Sequence, residues 1–242
     1  MNKWLMSILY LVVSIFLTRL IPFSSFFRNL DTMIHEFSHA LMALLLSGSV
    51  LSVELHADHS GVTYFRLASS WSHLPVALSG YIGASLFALL LFYLQFSKRQ
   101  KLGLILMTLI AAVLLLFYVH SGFGVTWLIG FIALNVLVYL QRKDWIRNGY
   151  FGLLAFLSLE ESAMGPFTLV LNSVQNGRTA GDAYSLEEIT GIPALIWSVG
   201  FLIAALACVG RSLQLFGRTV NGPSSSPAKR GTGAWSNKRL DV

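Results

Sequence analysis

Cysteine is almost absent from this chain, which has a single such residue, Cys208, among 242. A disulfide framework and a zinc site built from thiolates both need several cysteines, so both are excluded. Cys208 lies in an apolar run, which disfavours the thiolate that a nucleophile needs. We interpret it as a small core-filling side chain.

Charged residues are also scarce. They make up 12% of the chain, whereas hydrophobic residues make up 55%, and the mean hydropathy is +0.67. A soluble domain carries about a quarter charged residues, so the composition indicates an integral membrane protein. The formal charge of +6 is concentrated in short polar stretches and a tail. It indicates affinity for the anionic headgroups of a lipid bilayer, and no nucleic-acid partner is expected.

The apolar runs predict an all-α polytopic membrane fold with about six transmembrane helices. A short helix over 31–47 and a small β-hairpin after it complete the predicted architecture. No A-x-A cleavage site follows the first run, so we expect it to be retained as a transmembrane helix. The predicted spans are residues 4–21, 74–96, 102–119, 125–140, 149–171 and 191–209.

Two features qualify this division of the chain. Glu160, Glu161, Gly165 and Pro166 interrupt the run 149–171, which predicts a broken helix beside a cavity or buried in protein. The last part of the chain is basic and rich in serine, proline and glycine, which is typical of a disordered tail. We therefore expect a membrane domain over residues 1–210 and a tail over 211–242.

The central motif is the run HEFSH at residues 35–39, an instance of H-E-x-x-H. On a helix, residues four apart share a face, so His35 and His39 can hold one Zn²⁺ together. Glu36 would then serve as a general base that takes a proton from the attacking water. The alternative is a helix with merely solvated polar groups, but the apolar flanks on both sides disfavour a wet surface. Asp31 is the predicted N-cap of this helix.

Residues 50–68 are rich in β-branched and aromatic side chains on both sides of a turn signal at 58–61. This pattern predicts a β-hairpin. A hairpin with a free edge could hold an extended substrate by strand addition. The alternative is a structural hairpin that caps the helix bundle.

A catalytic zinc normally has three protein ligands and one open position, so a third ligand is expected. Asp182 is one candidate, because its small neighbours Gly181 and Ala183 let a helix end approach closely. The alternative role for Asp182 is an ordinary N-cap of the segment 183–189.

Other ionisable side chains compete for the third position. Glu160 and Glu161 are the main alternatives, since carboxylates at membrane depth usually face a bundle interior. His56, Asp58 and His59 form a compact set, but their spacing suits a polar loop tip better than a metal site.

The sequence resembles the site-2 protease family of intramembrane zinc metalloproteases, in particular its compact bacterial branch without a PDZ domain. The resemblance rests on HEFSHA near the N-terminus, Gly61-Val62-Thr63 in the hairpin-like stretch, several spans and a late aspartate. It covers roughly residues 4–210.

The resemblance implies that His35, His39 and Asp182 bind Zn²⁺ and that Glu36 activates water. One departure concerns the aspartate. In better-known members it precedes glycine in a motif with a preceding Asn and Pro, whereas here Asp182 is followed by Ala183.

The implied activity is that of a zinc-dependent membrane metalloendopeptidase in a bacterial plasma membrane. It would cut a membrane-anchored protein substrate in or near a transmembrane segment, as in regulated intramembrane proteolysis. Asn172 or Asn176 would take the substrate-orienting role that the family gives to an asparagine. No oligomeric state is predicted.

Two other functions stay open at this point. One is a catalytically silent relative that binds membrane clients or metal, which the intact Glu36 disfavours. The other is a polytopic transporter or channel with a chance HExxH match, which the lack of an internal repeat disfavours.

Overall fold

The computed structural model describes residues 24–120 and 122–221. The predicted first span at 4–21 and the tail from residue 222 lie outside the described residues. In the described part, an all-α bundle carries one small antiparallel sheet. Its helices and strands are α1 Ser24–Leu45, β1 Ser49–Leu55, β2 Gly61–Arg66, α2 His73–Phe96, α3 Gln100–Phe117, α4 Gly122–Tyr139, α5 Asp144–Gln175, α6 Gly181–Thr190 and α7 Ala194–Asn221.

Helix α1 begins earlier than predicted. It starts at Ser24, so Asp31 lies inside the helix and the predicted N-cap role for Asp31 is wrong. Packing explains the extension: Phe26 contacts Trp127 of α4, whose indole Nε1 donates a hydrogen bond to the Phe26 carbonyl at 2.7 Å. Phe27 packs on Tyr150 of α5. These tertiary contacts stabilise about two turns of helix that the sequence does not signal.

The hairpin is confirmed. Strands β1 and β2 pair antiparallel, with Val53 opposite Thr63 and Leu55 opposite Gly61. Alternate residues of β2 face inward, as expected for a strand with one covered face. The far edge of β1 is tied to the bundle, because the Val53 amide donates to the Tyr118 carbonyl at 2.9 Å.

Five described helices, α2, α3, α4, α5 and α7, are long and apolar enough to cross a membrane. This count agrees with the predicted fold class, since the sixth predicted span lies outside the described residues. The predicted ends of α2, α3 and α4 are correct to within three residues. The chain is thus an integral membrane protein built from apolar helices.

Helix α5 contradicts the expected break. It runs continuously for 32 residues with Pro166 inside it. A proline removes one amide donor from a helix, but the loss is local, and packing can hold the helix together. Pro166 is buried, and α5 packs against α2 and α7. The tertiary contacts of the bundle therefore override the local helix-breaking signal.

The last two helices complete the bundle. Helix α6 is short, and both its first residue, Gly181, and the residue after its end, Gly191, have positive φ, at 45° and 73°. It packs against α2 and α7. Helix α7 extends to Asn221, beyond the end predicted at 209. The division at 210 between membrane domain and tail stays a prediction.

Candidate metal centre

Three side chains from two distant parts of the chain converge at one point. The Nε2 atoms of His35 and His39 are 3.0 Å apart. Each lies 3.2 Å from Oδ2 of Asp182. Two zinc ligands with bonds of about 2.05 Å at a tetrahedral angle stand about 3.3 Å apart. The spacing of the three atoms therefore suits one ion, and it leaves a fourth position open.

Local structure explains this convergence. His35 and His39 are one turn apart on α1 and share a face. Asp182 lies in the first turn of α6, which the left-handed residue Gly181 allows to start there. Gly80 of α2 lets the helices approach, since a Cβ atom at this position would lie 2.5 Å from His39 Nε2 and 2.6 Å from His35 Nε2.

The tautomer of His39 is set by its surroundings. Its Nδ1 lies 2.8 Å from the Val76 carbonyl oxygen, which can only accept a hydrogen bond, so Nδ1 carries the proton. The lone pair is then on Nε2, the atom that faces His35 and Asp182. Metal-binding histidines use this arrangement, in which the second ring nitrogen donates to a fixed acceptor. The Ser79 hydroxyl also donates to the Val76 carbonyl, at 2.6 Å.

Asp182 has the electrostatics of a ligand. Burial alone would raise the pKa of its carboxyl group, but the neighbouring imidazoles of His39 and His35 outweigh burial and hold the pKa well below its usual range. Its Oδ2 atom is buried and lies 3.2 Å from both imidazole Nε2 atoms, neither of which donates a proton to it when both serve as metal ligands. A buried carboxylate oxygen without a donor calls for an explanation, and a cation between the three side chains supplies one.

Glu36 is nearly inaccessible, with 4% of its surface exposed. The Thr63 hydroxyl of β2 donates to its Oε2 atom at 2.6 Å. Gly61 packs against the same side chain, since a Cβ atom there would lie 2.7 Å from both Cγ and Oε1 of Glu36. The hairpin therefore contacts the predicted general base directly.

A cavity of about 600 Å³ opens beside these residues, and the three converging side chains and Glu36 line it. Gly61, Thr63 and Phe65, the inward-facing residues of β2, form one wall. Ser185 and Ile189 of α6 contribute to the wall as well. A volume of this size falls in the range of small-molecule and peptide sites.

Tyr81 of α2 supports the wall of the cavity next to His35. Its ring meets the His35 ring edge-on with centroids 4.6 Å apart, and it contacts Phe201 of α7 at 5.1 Å. Gly165 of α5 lies behind it, where a Cβ atom would be 3.2 Å from the Tyr81 ring. Helices α2, α5 and α7 are thus packed around one aromatic ring that fixes the position of His35.

The alternative third ligands are engaged elsewhere. Both carboxylate oxygens of Glu161 bind the Arg28 guanidinium, with Nη2 to Oε2 at 3.2 Å, in an ion pair that joins α1 and α5. Glu160 is buried at 2% exposure and does not line the cavity. Among the described residues, the group that could hold a metal consists of His35, His39 and Asp182.

The three polar residues at the hairpin turn, His56, Asp58 and His59, have different surroundings. The Asp58 carboxylate accepts two hydrogen bonds from Ser60, which lower its pKa, and His56 is exposed beside Glu54. His59 instead lines the cavity, and its carbonyl accepts a hydrogen bond from Thr32 of α1 at 2.9 Å.

The two asparagines lie away from the described cavity. Neither Asn172 nor Asn176 is in its wall. Asn176 caps a short turn, where its Oδ1 atom accepts from the Arg178 amide at 3.3 Å. Their substrate-orienting role stays a prediction without a contact that supports it.

Sequence reasoning missed the contacts of Thr63 and Tyr81. Gly80 is different, because a small residue on a spanning helix predicts close helix contact, and the structure adds that its neighbours are His35 and His39. Thr63 and Tyr81 carry no such signal, since their roles depend on which chain segments lie opposite them.

Comparison with known proteins agrees with this geometry. No curated protein and no solved structure matches the chain. A family model described as Peptidase M50B-like matches residues 7–212, a stretch that contains the HEFSH motif, the hairpin and Asp182. That match extends over most of the sequence and supports the resemblance to the site-2 proteases, and the chain therefore belongs to the Peptidase M50B-like family.

Proposed function

We propose that this protein is an intramembrane zinc metalloprotease that hydrolyses a peptide bond in or near a transmembrane segment of a membrane-anchored substrate. The observation that carries the proposal is the approach of His35, His39 and Asp182 to within 3.2 Å of one another, beside the buried Glu36. In keeping with its family, we place the protein in a bacterial plasma membrane.

The three converging residues would hold the ion. When bound, zinc supplies Lewis acidity toward carbonyl and water oxygen atoms. His39 Nδ1 keeps its proton and donates it in a hydrogen bond to the Val76 carbonyl, so His39 offers Nε2 as a neutral ligand. Asp182 brings one negative charge and also joins α6 to α1.

Glu36 acts first as the general base and then as the general acid of the reaction. Its carboxylate takes a proton from the attacking water as the water oxygen bonds to the scissile carbonyl carbon. As the carbon–nitrogen bond then breaks, Glu36 delivers that proton to the leaving amine. Its burial and its fixed contacts with the hairpin favour this role, because a general base must stay in one position near the water.

Strand β2 is the part of the site best suited to hold substrate. Opposite residues in an antiparallel sheet alternate between pairs that hydrogen-bond to each other and pairs whose main-chain groups point away from each other. His56 and Ser60 form a hydrogen-bonded pair, since the His56 amide donates to the Ser60 carbonyl at 2.9 Å. By this alternation, the main-chain groups of the pairs Leu55–Gly61 and Val53–Thr63 point away from each other. The Val53 amide agrees, because it donates to Tyr118 outside the sheet and not to β2.

The main-chain groups of Gly61 and Thr63 therefore point to the outer edge of β2. An extended substrate segment can pair with this edge by strand addition, which exposes its peptide bonds to the site. Unwinding is required in any case, because a helix hides its peptide bonds within its own hydrogen bonds.

The test is to purify the protein in detergent and to measure zinc content together with cleavage of a single-span test substrate. We expect about one zinc per chain, cleavage by the wild type, and no cleavage by the Glu36→Gln variant with its zinc retained. Zinc without cleavage by either form would indicate a silent relative that binds clients or metal. Absence of stoichiometric metal would favour a transporter or channel.

A further inference from the structure

We propose that Thr63 is a positioning residue for Glu36, and that it couples the docked substrate strand to the general base. This inference rests on the proposed function, since Glu36 needs a fixed orientation as a base only if the site hydrolyses peptides. It goes beyond the metal ligands and the base, because it assigns a catalytic task to a hairpin side chain.

The contact between the two side chains is short and directional. Thr63 Oγ1 lies 2.6 Å from Glu36 Oε2 and 3.1 Å from the Glu36 carbonyl oxygen. A hydroxyl has one proton, and a carboxylate is the stronger acceptor, so the proton goes to Oε2. The other carboxylate oxygen, Oε1, then keeps its lone pairs for the proton of water.

Glu36 is held from a second direction as well. A Cβ atom on Gly61 would lie 2.7 Å from Glu36 Cγ and Oε1, so the hairpin backbone itself restricts the rotamers of Glu36. Thr63 is β-branched and lies in a paired strand, which restricts its own χ1 angle. A stiff donor on a regular strand therefore fixes a longer and more flexible carboxylate side chain.

The same residue faces the substrate edge. The register points the main-chain amide and carbonyl of Thr63 away from β1, toward the edge where a substrate strand would pair. Thr63 would thus contact the substrate through its main chain and the base through its hydroxyl. Thr63 would then determine where the scissile bond lies relative to Glu36.

The kinetic test compares two substitutions at one position in the full-length, zinc-loaded protein with the single-span test substrate. Thr63→Val keeps the branched shape but removes the donor, and we expect kcat to fall about 10- to 100-fold with KM and zinc content unchanged. Thr63→Ser keeps the hydroxyl and should restore most of kcat. Thr108→Val removes a hydroxyl that donates to the Leu104 carbonyl within α3, outside the cavity lining, and it should leave kcat unchanged.

A wild-type kcat in Thr63→Val, or a Thr63→Ser variant as impaired as Thr63→Val, would overturn the proposal. A second measurement does not depend on activity. We expect Thr63→Val to lower the thermal unfolding midpoint in the wild-type background and to have little further effect in the Glu36→Ala background.

Equal losses in the two backgrounds would show that the hydroxyl does not act through Glu36, whether or not the wild type cleaves. A wild type that binds zinc and cleaves nothing, but shows this coupling, would instead contradict the proposed hydrolysis alone. The two failures are therefore distinguishable.

Discussion

Gly80 lies against His39 so closely that the smallest possible side chain would collide with the imidazole. A Cβ atom at Gly80 would be 2.5 Å from His39 Nε2, the atom that faces His35 and Asp182. Helices α1 and α2 therefore approach closely beside the proposed metal ligands. The packing of the two helices and the geometry of the site depend on one another for this reason.

This relationship predicts the effect of Gly80→Ala. The added methyl group must push one or both imidazoles away, so we expect zinc content to fall from about one per chain to a small fraction and cleavage to be lost. The matched control is Gly200→Ala on α7, where a Cβ atom meets no atom of the described residues within 4 Å. That variant should bind zinc normally, and a Gly80→Ala chain with full zinc content would contradict the prediction.

Gly61→Ala should impair the general base Glu36 without impairing zinc binding. Its methyl group would lie 2.7 Å from Glu36 Cγ and Oε1 but would leave the three converging side chains in place. We expect normal zinc content with kcat reduced about 10- to 100-fold, the scale seen when groups that orient a site are disturbed. Metal analysis and initial rates on the same preparation check this, and loss of zinc in Gly61→Ala would show that the hairpin also supports the ligands.

Comparison of carboxylate variants tests the third ligand. We expect Asp182→Ala to lose zinc, because among the described carboxylates this one lies beside both imidazoles. Glu160→Gln and Glu161→Gln should keep zinc. Glu161→Gln should still lower the thermal midpoint, since it leaves the Arg28 guanidinium without its ionic partner. Zinc retained in Asp182→Ala and lost in either glutamate variant would reverse the assignment.

Removal of metal should destabilise the protein. A ligand that binds only the folded state at a free concentration 100 times its Kd adds about 2.7 kcal/mol to the free energy of unfolding. We therefore expect a chelator to lower the thermal midpoint of the wild type and added zinc to restore it. The His39→Ala variant lacks one proposed ligand and should show no such shift, so a similar shift in that variant would point to zinc bound elsewhere.

The sequence was sufficient for the features that depend on local pattern. Apolar runs of sufficient length predicted the helices α2, α3 and α4 to within three residues. β-Branched residues around a turn signal predicted the hairpin. The four-residue spacing of His35 and His39 predicted that their side chains share one face of α1. Each of these properties follows from the periodicity of a single segment.

The tertiary structure decided what local pattern leaves open. Asp31 and Pro166 give local signals for a helix start and a helix break, and packing against neighbouring helices overrides both. Which carboxylate lies beside His35 and His39 depends on how α6 docks on α2, since Asp182 lies 143 positions after His39 in the sequence. The hydrogen bond from Thr63 to Glu36 likewise exists only because the hairpin folds back over α1. Contacts between distant segments depend on the shape of the whole bundle, and no single segment of the sequence carries that information.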